Sequence, residues 1–153
     1  MSTVEHIFIA GTDAGPEEVA RLLASLAGMS VSKNEKGRVF LSRPARDRQI
    51  GGELSVNDYV DAAPEEGDES LIDDFPLVLD VGYTGRERNV QLAEARALFA
   101  DLAEGGELTL ALVQNMDLLL AVSTPEHGTV WMPPDTTPDA EHRERWGRYR
   151  VRG

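Results

Sequence analysis

Two stretches of the chain share one order of hydrophobic and polar positions. The first opens with an apolar run at 4–10, rich in β-branched and aromatic residues, which predicts a strand. A helix is predicted from Pro16, because apolar residues recur at i, i+3, i+4 and i+7 from Val19, and Gly28 is the expected stop. Two shorter apolar runs within 29–42 flank a polar, glycine-bearing turn and predict a hairpin.

The second stretch repeats this order with longer elements. A strand is predicted at 76–81, and a helix over 90–103 with Asn89 as its N-cap. A glycine pair at 105–106 ends the helix, and two strongly apolar runs within 108–122 predict a second hairpin. The repeated order predicts a duplicated βαββ unit.

The predicted fold class is therefore α+β, with a mostly antiparallel six-stranded sheet and two helices on one face. The first half spans about 4–43 and the second half 76–124, joined by an acidic connecting segment at 49–75. Residues 125–153 are predicted to form an irregular, Pro-rich C-terminal segment, and the length of 153 residues predicts a single domain. Because residue identity between the halves is low, chance similarity of a common element order stays open.

Weaker patterns lie outside the two units. Residues 53–60 alternate well enough for one short strand, whereas 62–70 have no apolar periodicity and predict an exposed loop. In the C-terminal segment, 129–132 allow a last strand and 139–146 a short helix.

The composition of the chain indicates the cellular compartment in which the protein functions. The chain has no cysteine, which excludes disulfides and thiolate chemistry and suits a reducing cytoplasm. Its start lacks the basic and apolar regions of a signal peptide, and its longest apolar run, 118–122, is too short to span a bilayer. We therefore expect a cytoplasmic protein. The preference for Arg (13) over Lys (2) is typical of GC-rich bacterial genomes such as those of actinobacteria.

The net charge of −12 makes phosphate backbones and anionic membrane surfaces poor partners and favours a basic protein partner. Ten acids and no base lie between Glu53 and Asp80. We predict a partner-binding surface in this segment, formed by Glu53, Asp58, Tyr59, Asp61, Glu65, Glu66, Asp68, Glu69, Asp73 and Asp74. The alternative is that these acids form a loosely packed, solvated loop, or a loop that folds back on the basic residues of the predicted hairpin, at 33–48.

Candidate chemistry is sparse. The three histidines, His6, His127 and His142, have no spacing typical of a metal site, and no carboxylate pair is distinguished from the many others. The turn at 11–15 lies between a strand and a helix, where phosphates often bind, but it lacks the residues of a nucleotide-binding loop. We predict no catalytic residue, no metal and no cofactor, and therefore a protein that is not an enzyme.

In being short, acidic, cysteine-free, α+β and without a catalytic motif, the chain resembles the immunity proteins that protect bacteria from polymorphic toxins. The acidic stretch from Glu53 to Asp80 carries the resemblance, which is one of general type and transfers no residue roles. It implies a cognate toxin partner, often a basic nuclease or a deaminase, whose active site is covered or distorted by binding. Two alternatives remain: a small-molecule sensor or enzyme with a pocket near Trp131 in the Pro-rich segment, and a structural adaptor. The oligomeric state is not predicted.

Overall fold

The computed structural model describes residues 4–59 and 69–151, and in this part of the chain eight strands form one sheet. The strands are β1 Glu5–Ala10, β2 Ser30–Lys33, β3 Val39–Ala45, β4 Arg48–Val56, β5 Leu77–Tyr83, β6 Thr109–Gln114, β7 Leu118–Thr124 and β8 Gly128–Trp131. The α-helices are α1 Pro16–Ala27, α2 Arg88–Glu104 and α3 Arg143–Trp146, and 3-10 helices lie at Leu71–Asp74, Ala140–His142 and Gly147–Tyr149. Within the described ranges, no helix has the length and apolar character needed to cross a membrane.

The predicted class, α+β with an antiparallel sheet, is confirmed, but the predicted number of six strands is wrong. The two additional strands are β4 and β8. The weak alternation at 53–60 belongs to a strand that starts at Arg48, and the glycines at its centre hide the pattern. Gly51 has a φ of 147°, and a Cβ there would overlap the carbonyl oxygen of Leu41 on β3. The close approach of two backbones therefore requires glycine where a packed side chain would have revealed the strand.

The two halves repeat an order of elements but occupy the sheet differently. The order across the sheet is β2-β3-β4-β5-β1-β6-β7-β8, and every neighbouring pair is antiparallel. After α1, the chain moves from the edge towards the centre, whereas after α2 it moves from the centre towards the edge. The first strands of the two halves, β1 and β5, pair at the centre.

Helix α1 forms as its sequence predicts. Pro16 occupies the first turn, where its missing N–H costs nothing, and Glu17 and Glu18 favour the positive end of the helix dipole. The helix ends at Gly28, which adopts the left-handed conformation with φ 65°.

Helix α2 begins earlier than predicted. It starts at Arg88 with Glu87 in the cap position, so the expected N-cap Asn89 lies inside the first turn. The first helical hydrogen bond runs from the backbone N–H of Gln91 to the carbonyl of Glu87. A side-chain cap contributes only about 1 kcal/mol. The start at Arg88 buries Val90 and Gln91, and this burial outweighs the stabilisation that an Asn89 cap would add.

Both faces of the sheet carry a buried apolar cluster. On one face, α1 and α2 pack side by side over residues such as Ile7, Ile9 and Leu112, as predicted for two helices on one side. On the other face, the cluster includes Phe8 and Phe75 and is covered by the 3-10 helix 71–74 and the C-terminal segment.

The C-terminal segment is not irregular throughout, and its strand and short helix lie where the patterns at 129–132 and 139–146 allowed them. It contains β8 and α3, and its Trp146 is fully buried in the second cluster, with the indole N–H donating to the carbonyl of Asp139 at 3.1 Å. The Pro138 carbonyl accepts a hydrogen bond of 2.8 Å from the backbone N–H of Leu71. The C-terminal segment therefore covers the face of the sheet that is opposite to α1 and α2.

Candidate functional site

Three strands place a row of ionisable side chains on the face opposite to the helices. His6 on β1 pairs with Asp80 on β5. On β4, Glu53 lies opposite Asp80, because the flanking pairs Gly51–Gly82 and Leu54–Leu79 fix the register. Like charges opposite one another on neighbouring strands are unfavourable unless other groups compensate.

Groups at both ends of this row offset the repulsion between the carboxylates of Glu53 and Asp80. Arg38 binds Glu53 with two parallel hydrogen bonds, from Nε at 2.8 Å and from Nη2 at 2.6 Å. At the other end, Nε2 of His6 lies 3.3 Å from Oδ1 of Asp80. The row therefore runs from a cation through two carboxylates to a buried imidazole.

His6 is only 7% exposed. Burial lowers the pKa of His6, because it disfavours the imidazolium, and the nearby Asp80 opposes this shift. Burial also raises the pKa of the Asp80 carboxyl, with His6 acting in the opposite direction and Glu53 adding to it. Nδ1 of His6 has no hydrogen-bond partner among the described residues.

Tyr59 covers this row and is the exposed aromatic residue of the face. Its hydroxyl lies 3.3 Å from Nε2 of His6, and its ring makes edge contacts with the rings of His6 and Phe8. The backbone N–H of Tyr59 donates to Oδ1 of Asn57 at 3.1 Å. Although Tyr59 is held by these contacts, 46% of it remains exposed.

Tyr59 lies in a negative electrostatic field. Partial burial raises its pKa, and the carboxylates of Asp80, Asp58 and Glu53 raise it further. The phenol therefore keeps its proton at neutral pH.

Most described acids of the predicted binding surface contact other groups of the chain. Glu69 pairs with Arg143 at 3.0 Å and Asp74 with Arg150 at 2.7 Å, in addition to the Arg38–Glu53 pair. The Asp73 side chain accepts the backbone N–H of Ser70 and caps the 3-10 helix. Arg38, the partner of Glu53, lies in the basic hairpin at 33–48, as the alternative requires, whereas the partners of Glu69 and Asp74 lie in the C-terminal segment.

Two predicted residues in the described part, Asp58 and Tyr59, are exposed and lie together. The remaining predicted residues, Asp61, Glu65, Glu66 and Asp68, lie outside the described residues and stay a prediction.

The sequence did not single out His6 and Asp80 for this face. They are 74 positions apart and meet because β1 and β5 pair at the centre of the sheet. A polar residue inside an apolar strand is the local signal for His6, but strand order is needed to find its partner. Among the described residues, no three His, Asp or Glu side chains cluster as metal ligands would.

A cavity of about 650 Å³ lies elsewhere, between the β7–β8 turn and residues 148–151. Trp131, where a pocket was predicted, borders with Arg96 a separate and smaller depression of about 250 Å³. The Arg96 guanidinium lies 5.1 Å from the centre of the Trp131 ring.

Comparisons of the chain with models of protein families, with curated proteins and with solved structures found no match.

Proposed function

We propose that this protein acts by binding a protein partner with a basic surface, and that it neutralises a cognate bacterial toxin through this contact. The observation that carries the proposal is Tyr59, an exposed aromatic side chain held in place among carboxylates. Bound aromatic anchors supply much of the affinity of protein interfaces.

The contacts of Tyr59 reduce the cost of using it as an anchor. An interface residue that is mobile before binding loses about 0.5–1.5 kcal/mol of conformational freedom when it is immobilised. Tyr59 is already restrained by the rings of His6 and Phe8 and by its hydrogen bond to Asn57. Most of this ordering is therefore complete in the free protein.

The charges around Tyr59 select the chemistry of the partner. A guanidinium can stack on the face of a tyrosine and bind a carboxylate with two hydrogen bonds. Asp58 is exposed beside Tyr59, and Asp80 is part of the row beneath it. An arginine of the partner therefore suits this surface best.

The acids that already pair with arginines contribute less to this contact. Glu53, Glu69 and Asp74 each bind a guanidinium of the chain itself, so their charge is partly neutralised. Steering of the partner is expected to come from Asp58, from the overall charge of −12, and from the acids at 61–68 that lie outside the described residues. Nucleic acids and anionic membranes remain poor partners, and the cysteine-free chain suits the cytoplasm.

The test uses the product of the gene adjacent to the one that encodes this chain. We expect one-to-one binding by calorimetry, and we expect co-expression to abolish the toxicity of the neighbour. A neighbour that neither binds nor is toxic would contradict the immunity proposal.

The charge contribution is tested by association kinetics. Asp58→Asn should slow association and reduce its dependence on salt, whereas Glu104→Gln, an exposed acid at the end of α2, should change neither. Equal effects of the two variants would show that net charge, and not this surface, steers the partner.

A further inference from the structure

The cavity of about 650 Å³ has a size typical of sites for small organic ligands, which are about 300–1,000 Å³. It lies where β1 ends and β6 begins, and it is bordered by the β7–β8 turn and the C-terminal residues 148–151. It shares no lining residue with the row beneath Tyr59.

The β7–β8 turn presents an oriented histidine to this cavity. The hydroxyl of Thr124 accepts the backbone N–H of His127 at 2.9 Å and lies 3.2 Å from its Nδ1. In the tautomer in which Nδ1 accepts the hydroxyl proton, the ring proton lies on Nε2. Nε2 is then a hydrogen-bond donor.

Two arginines, Arg148 and Arg150, are among the residues that line the same cavity. The Nε of Arg150 donates to Asp74 at 2.7 Å, which fixes the side chain, and Asp74, Glu69 and Asp73 together partly neutralise its charge. Arg148 is exposed, and no carboxylate of residues 4–59 or 69–151 forms an ion pair with it. Glu126 is a lining carboxylate and opposes this positive charge. The positive charge available in this cavity therefore comes chiefly from Arg148.

An aromatic wall lies next to these donors. The ring of Tyr149 meets the ring of His127 edge-on, with centroids 5.1 Å apart. Tyr149 and Val151 also pack against the buried cluster of Phe8 and Trp146, so the wall is attached to the core.

We propose that this cavity binds a small organic oxyanion, a phosphate or a carboxylate carried on a flat apolar group. The oxyanion lies between Arg148, Arg150 and His127, which supply charge-assisted and neutral donors. The apolar group lies against Tyr149. This site is independent of the proposed protein contact.

The test is a titration of the full chain with phenyl phosphate and phenylacetate, followed by backbone amide shifts in NMR spectra. We expect saturable one-to-one binding in the millimolar range or tighter. The shifts should map to 124–128 and 148–151. Phenyl phosphate binding more tightly would assign the site to phosphates, and phenylacetate to carboxylates.

Matched variants test the role of the donors. Arg148→Gln should weaken binding about tenfold, as expected for the loss of one charge-assisted hydrogen bond. Arg21→Gln, the same charge change on the exposed side of α1, should leave the affinity unchanged. Since Arg148 and His127 are exposed, Arg148→Gln and His127→Gln should both fold. The proposal is overturned by shifts that do not saturate, by shifts that map elsewhere, by equal binding of neutral benzyl alcohol, or by an Arg148→Gln variant with unchanged affinity.

Discussion

Replacement of Trp146 by alanine tests whether the C-terminal segment is part of the core. The side chain is fully buried among Phe8, Phe75 and Leu71. A buried tryptophan removes about 150–250 Å² from water, which at about 25 cal/mol per Å² corresponds to roughly 4–6 kcal/mol. Because unfolded chains already bury some of this area, about 3–5 kcal/mol is expected. The variant also leaves the carbonyl of Asp139 without the indole N–H.

Urea unfolding followed by far-ultraviolet circular dichroism measures this loss. With a slope of about 2 kcal/mol per M, the midpoint of Trp146→Ala should fall by about 2 M. Trp131→Ala is the matched control, since Trp131 is 47% exposed on the edge strand β8, and it should cost about 1 kcal/mol. Equal losses for the two variants, or a loss below about 1 kcal/mol for Trp146→Ala, would refute the assignment of the segment to the core.

Three further substitutions test separate features of the fold by the same unfolding assay. Burial raises the pKa of the fully buried Glu5 above its ordinary value of 4.5, so the wild type loses stability as pH rises through the raised pKa. Glu5→Gln should therefore be more stable than the wild type at pH 7, and the difference in the free energy of unfolding should disappear below about pH 4.5. A difference that does not change with pH would contradict the claim that burial of the ionised Glu5 carboxylate destabilises the wild type. Gly51→Ala should lower the free energy of unfolding by about 2–5 kcal/mol, because the backbone of β3 occupies the position of the new Cβ. Gly28 also has a positive φ but faces open space, so Gly28→Ala should cost only about 1 kcal/mol. Similar losses for the two variants would refute the steric argument. Asn57→Ala should cost about 2–3 kcal/mol, since its Nδ2 donates to two buried carbonyls within 72–75 at 3.0 and 2.9 Å, and a neutral result would show that water replaces them.

The local parts of this fold could be predicted from the sequence because their signals are local. The spacing of apolar residues and the flanking Pro16 and Gly28 place α1 to within a residue. Strand β4 was recognised only in part, because Gly51 and Gly52 carry no side chain to show alternation. The strands that follow α1 and those that follow α2 run across the sheet in opposite directions. This arrangement depends on pairing between distant strands, which the periodicity of the sequence does not encode.

In the candidate site, too, the local features could be predicted from the sequence and the long-range contacts could not. The concentration of acids around Asp58 and Tyr59 is visible in the sequence, and both residues lie exposed on the molecule. Which acids are neutralised is not visible, since Glu53, Glu69 and Asp74 find their arginine partners 15, 74 and 76 positions away. Such pairs require the tertiary fold.

The central claim, that Tyr59 anchors a protein partner, is tested most directly by one pair of calorimetric affinities for the adjacent gene product. Tyr59→Ala and Trp131→Ala each remove an aromatic side chain that is about half exposed, at 46% and 47%. We predict that Tyr59→Ala weakens binding by about 30-fold or more, as a loss of about 2 kcal/mol requires, and that Trp131→Ala leaves it unchanged. Wild-type affinity of Tyr59→Ala, in a protein that still binds the partner, would contradict the account and move the interface away from this face.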